Sequence, residues 1–470
     1  QNTFVGSEAG KGGTTSAPFS SGQNNTALGY QALTGFTTGQ LNTVIGHTAG
    51  TAITTANYNT FVGAWAGDAA TASGYNTVVG FQAFSDAVAD SSHTVAIGYQ
   101  AGKAITSGDG NIMIGAGAGN TTTDVDKAVI IGQDAAQGNM TSDADATVAI
   151  GYQASYALTS GANNLAIGYQ ALKTNTTGHS NIAIGHGVMD DTDAGSNSLD
   201  SDHNVFIGNG AGSGTWTDAK SEYNTVVGNN ALAGALEAAV YNVGLGYRAG
   251  QSLTSGDSSV IIGGIAGANI TSGLRNVVIG YNAATTLTGG HYNIYIGSDA
   301  NASGANVNDE ILLAAGTGTL AGGGTETVRI GVDSDYITND FGENATWTHS
   351  SDRRVKKDIK DNQLGLEFIS KLKTRNFKKK APSEYPTEFE QHNPDTTERK
   401  NPDRIHYGFV AQEVKEAMDS VGHSEFPVWK ENRDGMQELG ETELITPLVK
   451  AVQELTEKVK QLEAKLSGSI

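Results

Sequence analysis

The chain contains no cysteine, so neither a disulfide nor a thiolate metal site can hold it together. Proline is nearly missing from its first 350 residues, because six of the seven prolines follow residue 350. No run approaches the ~18 apolar residues of a membrane-spanning helix, so no insertion in a bilayer is expected. Positive charge is scarce as well. Residues 1–350 carry 8 Lys and Arg against 27 Asp and Glu, whereas residues 351–470 carry 21 against 22. Nearly all of the net charge of −20 therefore belongs to the first part. Such a surface repels phosphates, which excludes a nucleic-acid partner.

Glycine is abundant, and 56 of the 62 glycines lie before residue 351. They punctuate one returning phrase: NTFVG, NTALG, NTVIG and so on to NIYIG. It closes at Gly6, Gly29, Gly46, Gly63, Gly80, Gly98, Gly115, Gly132, Gly151, Gly168, Gly185, Gly208, Gly228, Gly246, Gly263, Gly280 and Gly297. Ten of the sixteen intervals are 17 residues and the others run from 18 to 23, which is the signature of a repeat architecture. Each unit has a short β-branched run, a glycine, a small-residue phrase and a polar turn. The run predicts one inward side chain, and the glycine predicts a corner with positive φ or close backbone approach. A unit of this size holds two short strands and two turns, cannot bury a core alone, and should stack into a parallel β-solenoid. At ~4.8 Å per coil the rod is on the order of 80 Å long.

Units so small and so rich in alanine and glycine suit a thin coil whose apolar edge meets copies from other chains. The phrase resembles the head repeats of trimeric autotransporter adhesins, and similar repeats occur in phage fibres. That resemblance covers residues 1–300 and implies a trimeric β-roll. Gln1 opens inside a repeat, so the chain reads as a piece that attaches to other proteins through a missing N-terminal region.

Two long intervals predict loops that leave the rod, Ser7–Ser21 and His186–His203. The second carries Asp190, Asp191, Asp193, Asp200 and Asp202, whose spacing matches no EF-hand, so a solvated acidic loop is expected and no metal or other cofactor. Tyr30, Trp65, Tyr99, Tyr152, Tyr169 and Trp216 make either a sugar-binding strip or ordinary packing, and their scatter favours packing. No paired carboxylates recur at a spacing that would serve a polysaccharide depolymerase.

After Gly297 the phrase stops. Residues 301–350 read as a β-rich junction, with Tyr336, Phe341 and Trp347 as aromatics to plug the open end of the rod. Residues 351–470 are a different material. Asp361 or Asn362 is expected to cap a helix carrying Leu364, Phe368, Ile369 and Leu372. The last helix, over 447–466, has heptads with Val452, Val459 and Leu466 at a and Leu448, Leu455 and Leu462 at d. This predicts a coiled coil. Valine at a with leucine at d leans toward two strands, but the larger interface of the rod decides for three.

SDRRVKKDI, HYGFVAQEV and these heptads, in that order, resemble the self-cleaving intramolecular chaperone domain of phage tailspikes, tail fibres and endosialidases. The resemblance covers residues 351–470 and implies a trimeric domain that assembles the preceding fibre and cuts itself off. It makes Ser351 the nucleophile, Lys356 its partner and Ser350–Ser351 the scissile bond, with Asp352, Arg353, Arg354 and Lys357 in support. A lysine acts as base only when neutral, through burial or neighbouring positive charge. Arg353, Arg354 and Lys357 supply the charge.

The expected protein is thus a mainly β homotrimer, a virion tail fibre whose receptor is a host-surface glycan or protein. A cellular trimeric adhesin or surface filament using the same chaperone is the second reading, and a depolymerase tailspike the third. The expected catalysis is limited to one-turnover autoproteolysis.

Overall fold

The computed structural model describes residues 1–13, 20–86, 91–192, 200–217, 219–341, 344–349, 352–389, 392–398 and 402–467, with the backbone alone at 344–349. The chain divides into two compact units, Gln1–Ser350 and Ser351–Ile470.

The first unit is a parallel β-solenoid. Seventeen three-residue strands, from Thr3–Val5 to Ile294–Ile296, each pair in parallel with the strand of the next coil. The register is constant: Thr26 lies opposite Thr43, and Val277 opposite Ile294. Because side chains alternate across a pleated strand, the middle residue points in and its two neighbours point out. The middle column Val44, Phe61, Val78, Ala96, Met113 and Ile130 is fully buried.

In the coils that close at Gly6 to Gly280 the expected second strand does not form among the described residues; past Gly297 a two-residue one does, Ala300–Asn301, paired in parallel with Leu320–Ala321. Beyond the corner glycine the chain turns through left-handed residues, such as Gln31 at φ 54° and Leu33 at φ 55°. These interrupt an extended ladder but leave N–H groups aimed along the rod. Gln31 N–H donates to the Ser7 carbonyl of the preceding coil at 2.9 Å, and Leu33 N–H to Ala49 of the following coil at 3.0 Å. Turns can therefore stack as strands do.

The corner glycine meets both expectations at once. Its φ lies between 130° and 151° in the coils from Gly6 to Gly297, a region that side chains rarely enter. A Cβ there would also collide with the backbone carbonyl of the next coil's corner.

Inside the coil a polar ladder runs beside the apolar column. The asparagine opening most phrases is buried, and its Oδ1 accepts the backbone N–H of the asparagine one coil on. Asn42 to Asn25 is 2.9 Å and Asn59 to Asn42 is 3.0 Å. Its Nδ2 donates to a turn carbonyl, as Asn59 does to Ser73 at 2.9 Å. Ala128, Thr147 and Ser259 stand at the same station without breaking the rod.

The coiling outlasts the phrase. Ile294 pairs with Ile311 and Ile311 with Val328, both in parallel. Glu310 takes the ladder station next to Ile311 and is fully buried. Its N–H donates to Asn293 Oδ1 at 2.9 Å, while its carboxylate accepts from Tyr295 O–H at 2.7 Å, Ser303 N–H at 3.1 Å and Gly324 N–H at 2.6 Å. Antiparallel strands Asp335–Asp340 and Asn344–His349 then close the sheet. Of the expected aromatic plugs, Tyr336 packs against the core under the Arg329 guanidinium, 4.1 Å from its ring centre. Phe341 is exposed instead, and the Trp347 side chain lies outside the described residues.

The second unit is small and mixed. Helix α1 (Leu366–Lys371), α2 (Ala411–Ser420) and α3 (Ile445–Ser467) accompany two short antiparallel pairs, Arg375–Phe377 with His406–Gly408 and Trp429–Glu431 with Gln437–Leu439. Leu364, Phe368, Val414, Ala417, Met418, Val428 and Leu444 form its core. The expected cap of α1 is replaced. Asn362 Oδ1 accepts the N–H of Leu364 at 3.0 Å, ahead of the helix, and the first N–H of α1, that of Leu366, goes to Glu454 of α3 at 2.8 Å.

Candidate functional site

Ser350 and Ser351 lie outside the described residues. The chain that follows them folds into a tight turn for local reasons. Asp352 caps the single 3₁₀ turn Arg353–Val355 by accepting the N–H of Arg354 at 2.8 Å. The same carboxylate grips the Arg354 guanidinium, at 3.0 Å to Nε and 2.6 Å to Nη2. That pairing holds Asp352 below the usual carboxylate range, chiefly through the Arg354 side chain and then through its N–H, and raises Arg354. Both groups are solvent-exposed, so the pair adds little stability. It does fix the geometry of the turn. Lys356 follows with its N–H on the Arg353 carbonyl at 3.2 Å, and Lys356 and Lys357 are exposed. Of the three cations expected around Lys356, Arg354 is therefore already paired within its own turn.

The remaining residues of interest form surfaces. On α3, Leu448, Val452, Leu455, Val459, Leu462 and Leu466 are 45–70% exposed, although Pro447 and Ala451 at the flank of this face are buried. On the solenoid, the third strand residue faces out in every coil, and in all seventeen it is valine, leucine or isoleucine, from Val5 to Ile296. The first strand residue, also outward, is threonine in the five coils from Thr3 to Thr77 and mostly valine, leucine or isoleucine after them. Monomeric soluble proteins do not usually carry a contiguous apolar strip of this length.

The aromatic residues split into two kinds. Trp216 is fully buried, with its indole N–H on the Gly212 carbonyl at 3.0 Å, so it belongs to the core and not to a surface strip. The exposed rings instead stack from coil to coil. Tyr58 lies on Tyr75 at 4.8 Å and Tyr75 on His93 at 5.0 Å, while Tyr152 lies on Tyr169 at 5.2 Å and Tyr169 on His186 at 4.8 Å. Their planes are within 21° of parallel, so each ring covers its neighbour's face.

The acidic stretch does not converge. Asp200 accepts from Thr177 and pairs with Lys220 at 3.2 Å, Asp191 accepts from Thr215 at 2.6 Å, and Asp202 accepts the N–H of His179. Burial raises Asp190, while Asp193 lies outside the described residues. Among the described residues no three His, Cys, Asp or Glu side chains gather as a metal site would require, and no helix is long and apolar enough to cross a membrane.

Three features escaped the sequence reading. Helix α2 starts within HYGFVAQEV and runs beyond it, where Val414, Ala417 and Met418 mark its buried face at helical spacing. Glu310 lies 17 positions after Asn293, and that interval was the available signal. The Glu454 cap joins residues 88 apart, which no local pattern shows.

No curated protein matches the chain. Residues 351–423, which begin where the second compact unit begins, match the family model described as the chaperone of endosialidase, so this solenoid is followed by a domain similar to that chaperone.

Proposed function

We propose that the chain is a homotrimeric surface-attachment fibre of the tail-fibre type, whose last 120 residues assemble it and are then released by cleavage before Ser351. The reading is carried by one observation, the outward aliphatic column that continues through all seventeen coils, partly or fully exposed in each. Three copies packed strand face to strand face would remove it from water. The bare heptad face of α3 asks for the same partners. Lys458 at g and Glu463 at e would then meet across subunits. The match to the chaperone of endosialidase and the start of that match at residue 351 support the second half of the reading. The fibre is placed outside the cell, on a virion, with a host-surface glycan or protein as its receptor.

The cleavage follows from the residues. Ser351 Oγ attacks the carbonyl carbon of Ser350 through a five-membered ring. The C–N bond breaks as the C–O bond forms, and the freed amine of Ser351 takes up the proton. Water then hydrolyses the ester, returning the Ser351 hydroxyl and leaving Ser350 as a carboxylate. Serine needs a base for the attack, and Lys356 is assigned that role. Lys356 is exposed in the single chain, and on this reading another subunit covers it. Cleavage would then report completed assembly.

The test is expression of the full chain as wild type, Ser351→Ala and Lys356→Ala, read by denaturing gel, intact mass and sedimentation. Wild type should give trimers cut into residues 1–350 and 351–470, and both variants should give uncut trimers. An uncut wild-type trimer would refute the cleavage, a cut Lys356→Ala the base, and a stable monomer the fibre.

A further inference from the structure

One ring in the aromatic columns breaks the stacking rule. Trp65 meets His47 at 61° and Phe81 at 80°, with ring centres 5.2 and 5.1 Å away. It is held crosswise between two neighbours and is not covered face to face. Beside it, across three coils, lies a cavity of about 420 Å³ lined by Trp65, Gln31, Thr34, Thr48, Thr51 and Asp68.

Three donors on the polar wall of this cavity are already engaged. Gln31 Nε2 already donates to Glu8 at 2.6 Å, Thr34 Oγ1 to the Gln31 carbonyl, and Thr51 Oγ1 to the Asp68 carbonyl at 3.1 Å. Each leaves an oxygen that still accepts. Asp68 adds a carboxylate, one oxygen of which is buried without a partner. Burial is also the largest cause of the rise in its pKa, as expected for a charge short of donors. An aromatic wall with a ring of acceptors fits a ligand that brings its own hydroxyl donors and an apolar C–H face. The acidic rod disfavours an anionic ligand.

We propose that this cavity is a subsite for one neutral sugar unit of a surface glycan, stacked on Trp65 with its hydroxyls donating to Asp68, Thr51, Thr34 and Gln31. The inference rests on the surface-attachment reading and gives it a site. The coil-to-coil rise of ~4.8 Å is close to the length of one pyranose in an extended glycan, so a linear chain can follow the rod. A second cavity of about 540 Å³ occupies the same station further along, around Arg248, Gln251 and Asn282. Ile265 stands there where Trp65 stands in the first, so that cavity lacks the ring.

The assay is titration calorimetry on the assembled full chain with maltohexaose, cellohexaose, chitohexaose and mannohexaose. Wild type should bind at least one of them. Trp65→Ala should weaken that binding about tenfold or more, Trp65→Phe should retain part of it, and Asp68→Asn should weaken it. Gln251→Ala should leave it unchanged. Should Trp65→Ala fail to assemble, Asp68→Asn and Thr51→Val carry the decision. Binding of none of the four glycans, full binding by Trp65→Ala, or competition by tetramethylammonium, which has no hydroxyl, overturns the proposal. Trimers that form and cleave yet bind no sugar refute this site alone, whereas loss of trimers and cleavage in wild type refutes the fibre reading itself.

Discussion

Replacing Asn181 by alanine tests whether the internal amide ladder stabilises the rod. Asn181 Oδ1 accepts the N–H of Asn204 at 3.1 Å and its Nδ2 at 3.2 Å, while Asn181 Nδ2 donates to the Ser201 carbonyl at 2.8 Å. Asn204 Nδ2 keeps its second acceptor, the Ser221 carbonyl at 2.8 Å. The N–H of Asn204 loses its acceptor, and the carbonyl of Ser201 loses the amide donor. Each of these two buried losses costs about 1–3 kcal/mol, so the variant should lose ~2–6 kcal/mol locally. Native-state hydrogen exchange reads this directly, because coils open locally before they unfold together. The amide of Asn204 should exchange at least ~30-fold faster than in wild type, while amides ten coils away stay protected. Asn181→Thr should fall between, since Thr147 fills the station naturally and its hydroxyl reaches the Gly161 carbonyl at 3.4 Å. Protection of Asn204 within a factor of two of wild type in Asn181→Ala would refute the reasoning, because it would mean that water or a shifted backbone replaces the ladder at negligible cost.

At the end of the rod, burial and the Glu310 carboxylate raise the Tyr295 phenol far above its ordinary value. Its contribution is complete below pH ~10 and is lost as pH climbs above that, so melting temperature should fall as pH rises from ~10 upward, and Tyr295→Phe should flatten that slope while costing ~1 kcal/mol at neutral pH. A Cβ at Gly365 would press within 2.5 Å of the Glu454 carboxylate, so Gly365→Ala should destabilise the second unit by ~1–2 kcal/mol. Denaturant titration of Gly365→Ala, Glu454→Ala and the double variant should show strong non-additivity, and simple addition would dismiss the cap.

The solenoid was legible because every coil reuses the same stations. A buried middle residue, a corner glycine and a ladder asparagine recur so often that each confirms the others. The far side of the coil was not legible in the same way. Its turns depend on left-handed residues such as Leu33 and Leu172, which no propensity scale assigns to that region. They hold it because hydrogen bonds to the neighbouring coil outweigh the local cost. Trp216, one of the rings whose scatter favours packing, is core, since a long interval gives the chain room to fold a large side chain inward over Phe206, 5.7 Å away. For the cleavage segment, sequence pointed to Ser351 and Lys356 by resemblance. The geometry between 352 and 357 adds the Asp352–Arg354 clasp, a contact that spacing alone does not distinguish from a solvated basic turn.

On the proposed trimeric reading, the periodicity that makes the rod easy to read also gives it a use for a non-periodic domain. Each coil completes its interior with its immediate neighbours, as the 17-residue ladder contacts show, so a single rod can close without help. The outward face is different. Its aliphatic residues repeat at every coil, and three such faces shifted by one rise of ~4.8 Å would match almost as well as three in step. Apolar burial alone would therefore drive the proposed association without choosing a register. Register has to come from parts that do not repeat: the closing strands after Ile311, and α3 with its short heptad run. A segment needed to choose the register but not to keep it is expendable once the long faces have locked together. On the proposed reading, that is the physical reason for cutting at the boundary between the two units and not within either of them.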